Sequence, residues 1–144
     1  MKLRPINIIE IITALLFIVG HLLKNAHIPY MGLLSALSGI TLAILYFNLG
    51  FSSLKSPEIA VGNSIVYGFS FGTAVIGLIF SFQKWPFSKF YLIVSIIVLL
   101  LLALIRVIAV YLLKNDKILK YNKGIAIRYL LLLVITVGSL AFML

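Results

Sequence analysis

Two ionisable residues stand inside long apolar runs. Glu10 interrupts NIIEIITALLF and Arg106 interrupts LLALIRVIAV. A charge held in a bilayer is costly and marks a partner or a path. At about 1.5 Å of rise per helical residue, both fall roughly 8–12 Å inside the same membrane surface. Equal depth predicts a salt bridge between Glu10 and Arg106. The competing expectation is that each snorkels to the interface by itself. A proton path through Glu10 would need a second acid at depth to relay to, and none is found there.

The rest of the inventory holds little chemistry. The chain has three acids, two histidines and no cysteine. It contains no Gly-x-Ser-x-Gly elbow, no His-Glu-x-x-His helix and no phosphate loop, so catalysis is not expected. His21 and His27 fall short of the three or four ligands that zinc requires, and neither a metal nor a cofactor is expected. Glu58 follows Ser56-Pro57, the pattern of an N-cap, a first-turn proline and an acid at a helix start.

The elements that carry these residues are set by composition. Of 144 residues, 63% are hydrophobic and 10% are charged, against roughly 25% charged in a soluble domain. Five apolar runs of about 20 residues can each cross a hydrocarbon core of roughly 30 Å. They read as Pro5–Leu23, Met31–Phe51, Pro57–Phe82, Phe90–Leu113 and Gly124–Leu144. Backbone polar groups in lipid must be satisfied within the segment, so all five should be α-helices. The expectation is an all-α, polytopic transmembrane bundle forming one membrane domain. Lys2 and Arg4 ahead of the first run resemble a signal peptide. Glu10 within the run and the lack of a small-residue cleavage site favour a retained span.

Lysine and arginine near span ends set orientation. Eight fall on one side: Lys2, Arg4, Lys55, Lys114, Lys117, Lys120, Lys123 and Arg128. Three fall on the other: Lys24, Lys84 and Lys89. The richer side, with the N-terminus, should be cytoplasmic and the C-terminus should lie outside. The net charge of +9 thus follows a topology rule and does not call for nucleic acid. Lys114, Lys117, Lys120 and Lys123 recur about once per helical turn and should attract anionic lipid headgroups.

The chain repeats itself at a spacing of 57 residues. Gly20 falls on Gly77, His27 on Lys84, Pro29 on Pro86 and Tyr30 on Phe87. Both copies read as helical hairpins with a proline turn on the outer side, carrying Lys24, His27, Pro29 and Tyr30 in the first and Lys84, Trp85 and Pro86 in the second. Proline ends a helix, and aromatic residues suit the interface. Two hairpins of the same direction make a parallel repeat, about 5–51 and 57–113, with the fifth helix unpaired.

The run Gly20-x-x-x-Lys24-x-x-His27-Ile28-Pro29 resembles the transmembrane hairpin of the GldL family, inner-membrane proteins of gliding motility and type 9 secretion. Phe80, Trp85 and Pro86 match its aromatic and proline positions in the second copy, while Ser81 and Lys84 depart from its Lys and His. The resemblance implies a bacterial inner membrane and a turn facing the periplasm. The family's intramembrane glutamate is replaced by Leu42, and its long cytoplasmic region by a short loop. The resemblance therefore implies a duplicated hairpin in a small membrane protein, not an ion-driven motor.

Small residues form rows on two helices: Ser64, Gly68 and Gly72 on the third, and Gly32, Ala36 and Gly39 on the second. Such rows let helix backbones approach closely in lipid, either within the bundle or between copies. The expected function is a non-enzymatic subunit or scaffold of a membrane assembly, with a homo-oligomer or another membrane protein as partner. The alternative is a small transporter or channel using Glu10 and Arg106. Few polar residues fall at the midplane (Ser38, Thr41, Ser70, Thr73 and Ser95), which favours the first.

Overall fold

The computed structural model describes residues 5–55, 60–113 and 116–143. It contains five helices: α1 (Pro5–Asn25), α2 (Met31–Ser53), α3 (Val61–Gln83), α4 (Ser88–Leu113) and α5 (Asp116–Ala141). All are long and apolar enough to cross a membrane, and the described residues contain no strand. The chain is a multi-pass helical membrane protein. The Ser56-Pro57-Glu58 cap, Lys2, Arg4 and Lys114 lie outside the described residues, as does the side chain of Lys117.

One boundary differs by a full two turns. The sequence places the fifth span from Gly124, but α5 starts at Asp116. KILKYNK holds no proline, so the helix runs on through polar residues. Arg128, counted above among the cations near a span end, therefore lies well inside the helix, about 18 Å along α5 from its start.

Between helices in lipid there is little hydrophobic driving force, so packing rests on close van der Waals fit and interhelical hydrogen bonds. α3 is the hub. It packs on α2, α4 and α5, while α1 packs on α2 and α4 on α5. Two-thirds of its apolar window is buried, against 17% for α1 and for α5. Phe71, Val75 and Leu78 of α3 meet Leu92 and Leu99 of α4 in the core. The Leu-rich outer faces of α4 and α5, with Leu101, Leu104, Leu130 and Leu131, are exposed to the surroundings.

The small-residue row on α3 serves this packing. A Cβ at Gly68 would sit 2.5 Å from the Tyr46 carbonyl and 2.9 Å from Cα of Gly50. Gly72 is covered by the Phe47 ring, and Ser64 is fully buried, donating to the Leu54 carbonyl at 3.2 Å. On α2, Gly39 lies under Phe17 and Ile79, and Gly32 against the Lys24 stem. Ala36 is half-buried, and the fully buried small residue of that stretch is its neighbour Ser35.

The 57-residue repeat extends to the backbone of the turns. His27 and Lys84 both hold φ near +60°, as do Tyr30 and Phe87. In each copy the two amides after the helix turn back to carbonyls three and five residues earlier: His27 to Lys24 and Ile28 to Leu23, Lys84 to Ser81 and Trp85 to Phe80. This is a Schellman closure followed by proline. The next helices open alike, from Tyr30 to Leu34 and from Phe87 to Tyr91. Gly20 and Gly77 mark the close approach in their hairpins, against Ser35 and Ser95 respectively. Both proline turns lie at one end of the bundle, called here the proline end. The opposite end is the lysine end.

Candidate functional site

Polar side chains concentrate in three clusters, two towards the lysine end and one at the proline end. At the lysine end, Glu10 is 3% exposed. Tyr46 of α2 donates its hydroxyl to Oε1 at 2.8 Å. Arg128 of α5 closes on the same carboxylate, with Nε 2.8 Å from Oε1 and Nη2 donating to Oε2 at 3.0 Å. The two-pronged contact suits the planar guanidinium and fixes its direction. It spans from the first helix to the last across the bundle.

This corrects the expected Glu10–Arg106 bridge. Similar depth does not imply lateral adjacency: α1 packs on α2, whereas α4 lies beyond α3. The signal for Arg128 was present, since Ile125, Ala126 and Ile127 precede it and Leu130 to Val134 follow. Tyr46 carried no comparable mark.

Arg106 instead joins α4 to α3. It is 8% exposed. One terminal nitrogen donates to Asn63 Oδ1 at 3.0 Å, and the guanidinium carbon stands 4.4 Å from the centre of the Tyr67 ring. Its Nε is buried without a hydrogen-bond partner. Tyr67 donates to Asn122 Oδ1 at 2.6 Å, and Tyr121 to the Leu54 carbonyl at 2.8 Å, so α5 is latched to α3 and to the residue after α2. Arg106, Tyr67, Asn122 and Tyr129 border a cavity of about 190 Å³ between α3, α4 and α5, otherwise walled by aliphatic side chains.

At the proline end, Lys24 reaches across the hairpins. Its Nζ donates to the Phe82 carbonyl at 2.8 Å and to Gln83 Oε1 at 2.9 Å. Gln83 returns a bond to the Gly32 carbonyl at 3.0 Å. A cation on the terminal carbonyls of α3 also complements that helix's dipole. His21 stacks on Phe82 with ring centres 3.6 Å apart. His27, Pro29, Lys84 and Pro86 are exposed in the turns, and Tyr30 and Phe87 are 83% and 78% exposed, as interfacial anchors would be. Trp85 folds back edge-on to Phe80.

The midplane hydroxyls are turned inward on their own helices. Ser38, Thr41, Ser70, Thr73 and Ser95 each donate to the carbonyl four residues earlier. Ser95 is also within 2.9 Å of the Thr73 carbonyl, across to α3. Lys120 and Lys123 are exposed on the first turns of α5.

A second hollow, of about 310 Å³, lies on the outer side of α2 and α3. Ile40, Ile44, Phe47, Ile76, Phe80 and Trp85 wall it, and Asn48 is its single amide. Asn48 is exposed on the lipid-facing side of α2.

No protein-family model, no curated protein sequence and no solved structure matches the chain.

Proposed function

We propose that this protein is a non-enzymatic subunit of a bacterial inner-membrane assembly, that it self-associates through the α2–α3 hollow, and that its lysine end faces the cytoplasm. The observation that carries this reading is Asn48. Asn48 is the single amide in a hollow otherwise walled by apolar side chains, and interhelical hydrogen bonds to such groups favour association in membranes. The occupant is a second copy of this chain. An asparagine is both donor and acceptor. About a twofold axis normal to the membrane, two Asn48 side chains meet at equal depth and satisfy each other.

The GldL-like run from Gly20 to Pro29 supports the same class of function, a hairpin within a membrane assembly. The transporter alternative has less behind it. Glu10 is enclosed by Tyr46 and Arg128, and the midplane hydroxyls are committed to backbone carbonyls. With Arg128 inside α5, the cation count remains seven to three in favour of a cytoplasmic lysine end.

The absence of cysteine from the chain makes the test clean. Ile44→Cys should give an oxidatively cross-linked dimer in native membranes, and Tyr111→Cys on α4 should not. Adding Asn48→Leu to Ile44→Cys should lower the cross-linked fraction about threefold or more, the effect of one interhelical hydrogen bond. Equal cross-linking with and without Asn48 would remove the reading.

A further inference from the structure

Among the described side chains, no acid meets the buried arginine on α4. Glu10, the only carboxylate described inside a span, is held by Arg128. Asn63 and the Tyr67 ring stabilise Arg106 but carry no net charge, and its Nε lacks a partner. A desolvated guanidinium in this state calls for an anion. The cavity of about 190 Å³ that it borders has room for one. Asn122 and Tyr129 add polar atoms at the border, although both already bond internally, Tyr129 to the Leu99 carbonyl.

The shape of the surroundings identifies the source. The cavity lies between α4 and α5, whose outer faces are lipid-exposed, and Leu102, Ala103 and Val107 form its apolar wall. α4 has 26 residues, about 39 Å, against a core of roughly 30 Å. Arg106, about 10 Å from its end, therefore stands close to the headgroup level on the lysine side. Lys123, beside Asn122 on α5, is exposed at that end. An apolar wall under a cation at this depth fits a molecule that is acyl chain on one side and phosphate on the other. We propose that Arg106 and the α3–α4–α5 cavity form a site for the phosphate of one anionic phospholipid, whose chain lies along α4.

The test uses the full chain in detergent, delipidated and then supplied with phosphatidylglycerol, phosphatidylcholine or inorganic phosphate. Native mass spectrometry counts retained lipid, and thermal unfolding reads protection. One phosphatidylglycerol should be retained at least fivefold over phosphatidylcholine and should raise the unfolding temperature, while inorganic phosphate should do neither. Arg106→Gln should abolish the preference. Ala103→Leu, which fills the cavity and leaves the arginine charge in the chain, should reduce retention at least fivefold in a protein that still folds. Equal retention of both lipids, or full retention in Ala103→Leu, overturns the site. Protection by inorganic phosphate equal to that by phosphatidylglycerol overturns the lipid as the source. A rise of at least fivefold in phosphatidylglycerol retention in Glu58→Gln, with Arg106 intact, assigns the counter-charge in the native protein to the chain's own carboxylate and also overturns the proposal.

Discussion

Arg128 holds Glu10 through both carboxylate oxygens, joining the fifth helix to the first although neither lies on the other's main packing face. Removing one partner of a buried ion pair strands the other charge, at about 3–5 kcal/mol. Arg128 is 28% exposed, so solvent screening places the effect near the low end, at about 3 kcal/mol. Arg128→Gln and Glu10→Gln should each destabilise the protein in detergent to that degree. The double variant should lose less than the sum by about 1 kcal/mol or more. Glu10→Gln combined with Arg106→Gln should be additive. Coupling of Glu10 to Arg106 instead of Arg128, measured in the same unfolding cycle, would contradict the clasp.

Gly68 and Gly124 should respond to alanine with opposite signs. At Gly68 the added methyl collides with the Tyr46 carbonyl and Cα of Gly50, both backbone atoms. Overpacking of this kind costs about 1–3 kcal/mol. At Gly124 nothing lies within 4 Å of the new Cβ, and a helical glycine is roughly 0.5–1 kcal/mol less favourable than alanine. Gly68→Ala should lower the unfolding temperature, and Gly124→Ala should raise it.

Lys24 and Gln83 should behave as one unit. Lys24→Met removes a charged donor from the end of α3, a loss of about 1.5–3 kcal/mol for a bond to a charged group. With Gln83→Ala already present, the same change should cost measurably less, because their shared bond is gone. Equal costs in both backgrounds would mean that Lys24 acts on the Phe82 carbonyl alone.

His27 and Lys84 sit in left-handed backbone at φ 61° and 55°, where a side chain costs about 1 kcal/mol and glycine does not. His27→Gly and Lys84→Gly should therefore be neutral or stabilising by up to about 1 kcal/mol, despite the greater freedom of the unfolded chain. His27→Val should be destabilising, since a β-branched residue fits this conformation worst. Matching responses at the two sites would be the energetic counterpart of the repeat.

The orientation proposed from the lysine distribution is checked by fusion. A reporter following Leu144 should be active in the periplasm, and one inserted at Lys114 should report the cytoplasm. The reverse pattern would invert the bundle and move the Arg106 cavity to the outer leaflet.

How much of this was written in the sequence follows from the range of each interaction. Helix number and type were legible because lipid leaves the backbone only one way to satisfy itself in a 20-residue apolar run. The turns were legible too. Pro29 and Pro86, each two residues after one at positive φ and directly before another, specify a local closure that needs no partner elsewhere. The start of α5 was not, because KILKYNK is polar enough to read as a loop yet contains nothing that breaks a helix. The pairing of Glu10 was beyond sequence for a different reason. Hydropathy and helix rise place a residue along the membrane normal, but they carry no information about its position around the bundle. Only the packing of α3 between its neighbours, set by Gly50, Gly68 and Gly72 at the α2 crossing, decided that Arg128 would reach the carboxylate and that Arg106 would be left facing a cavity.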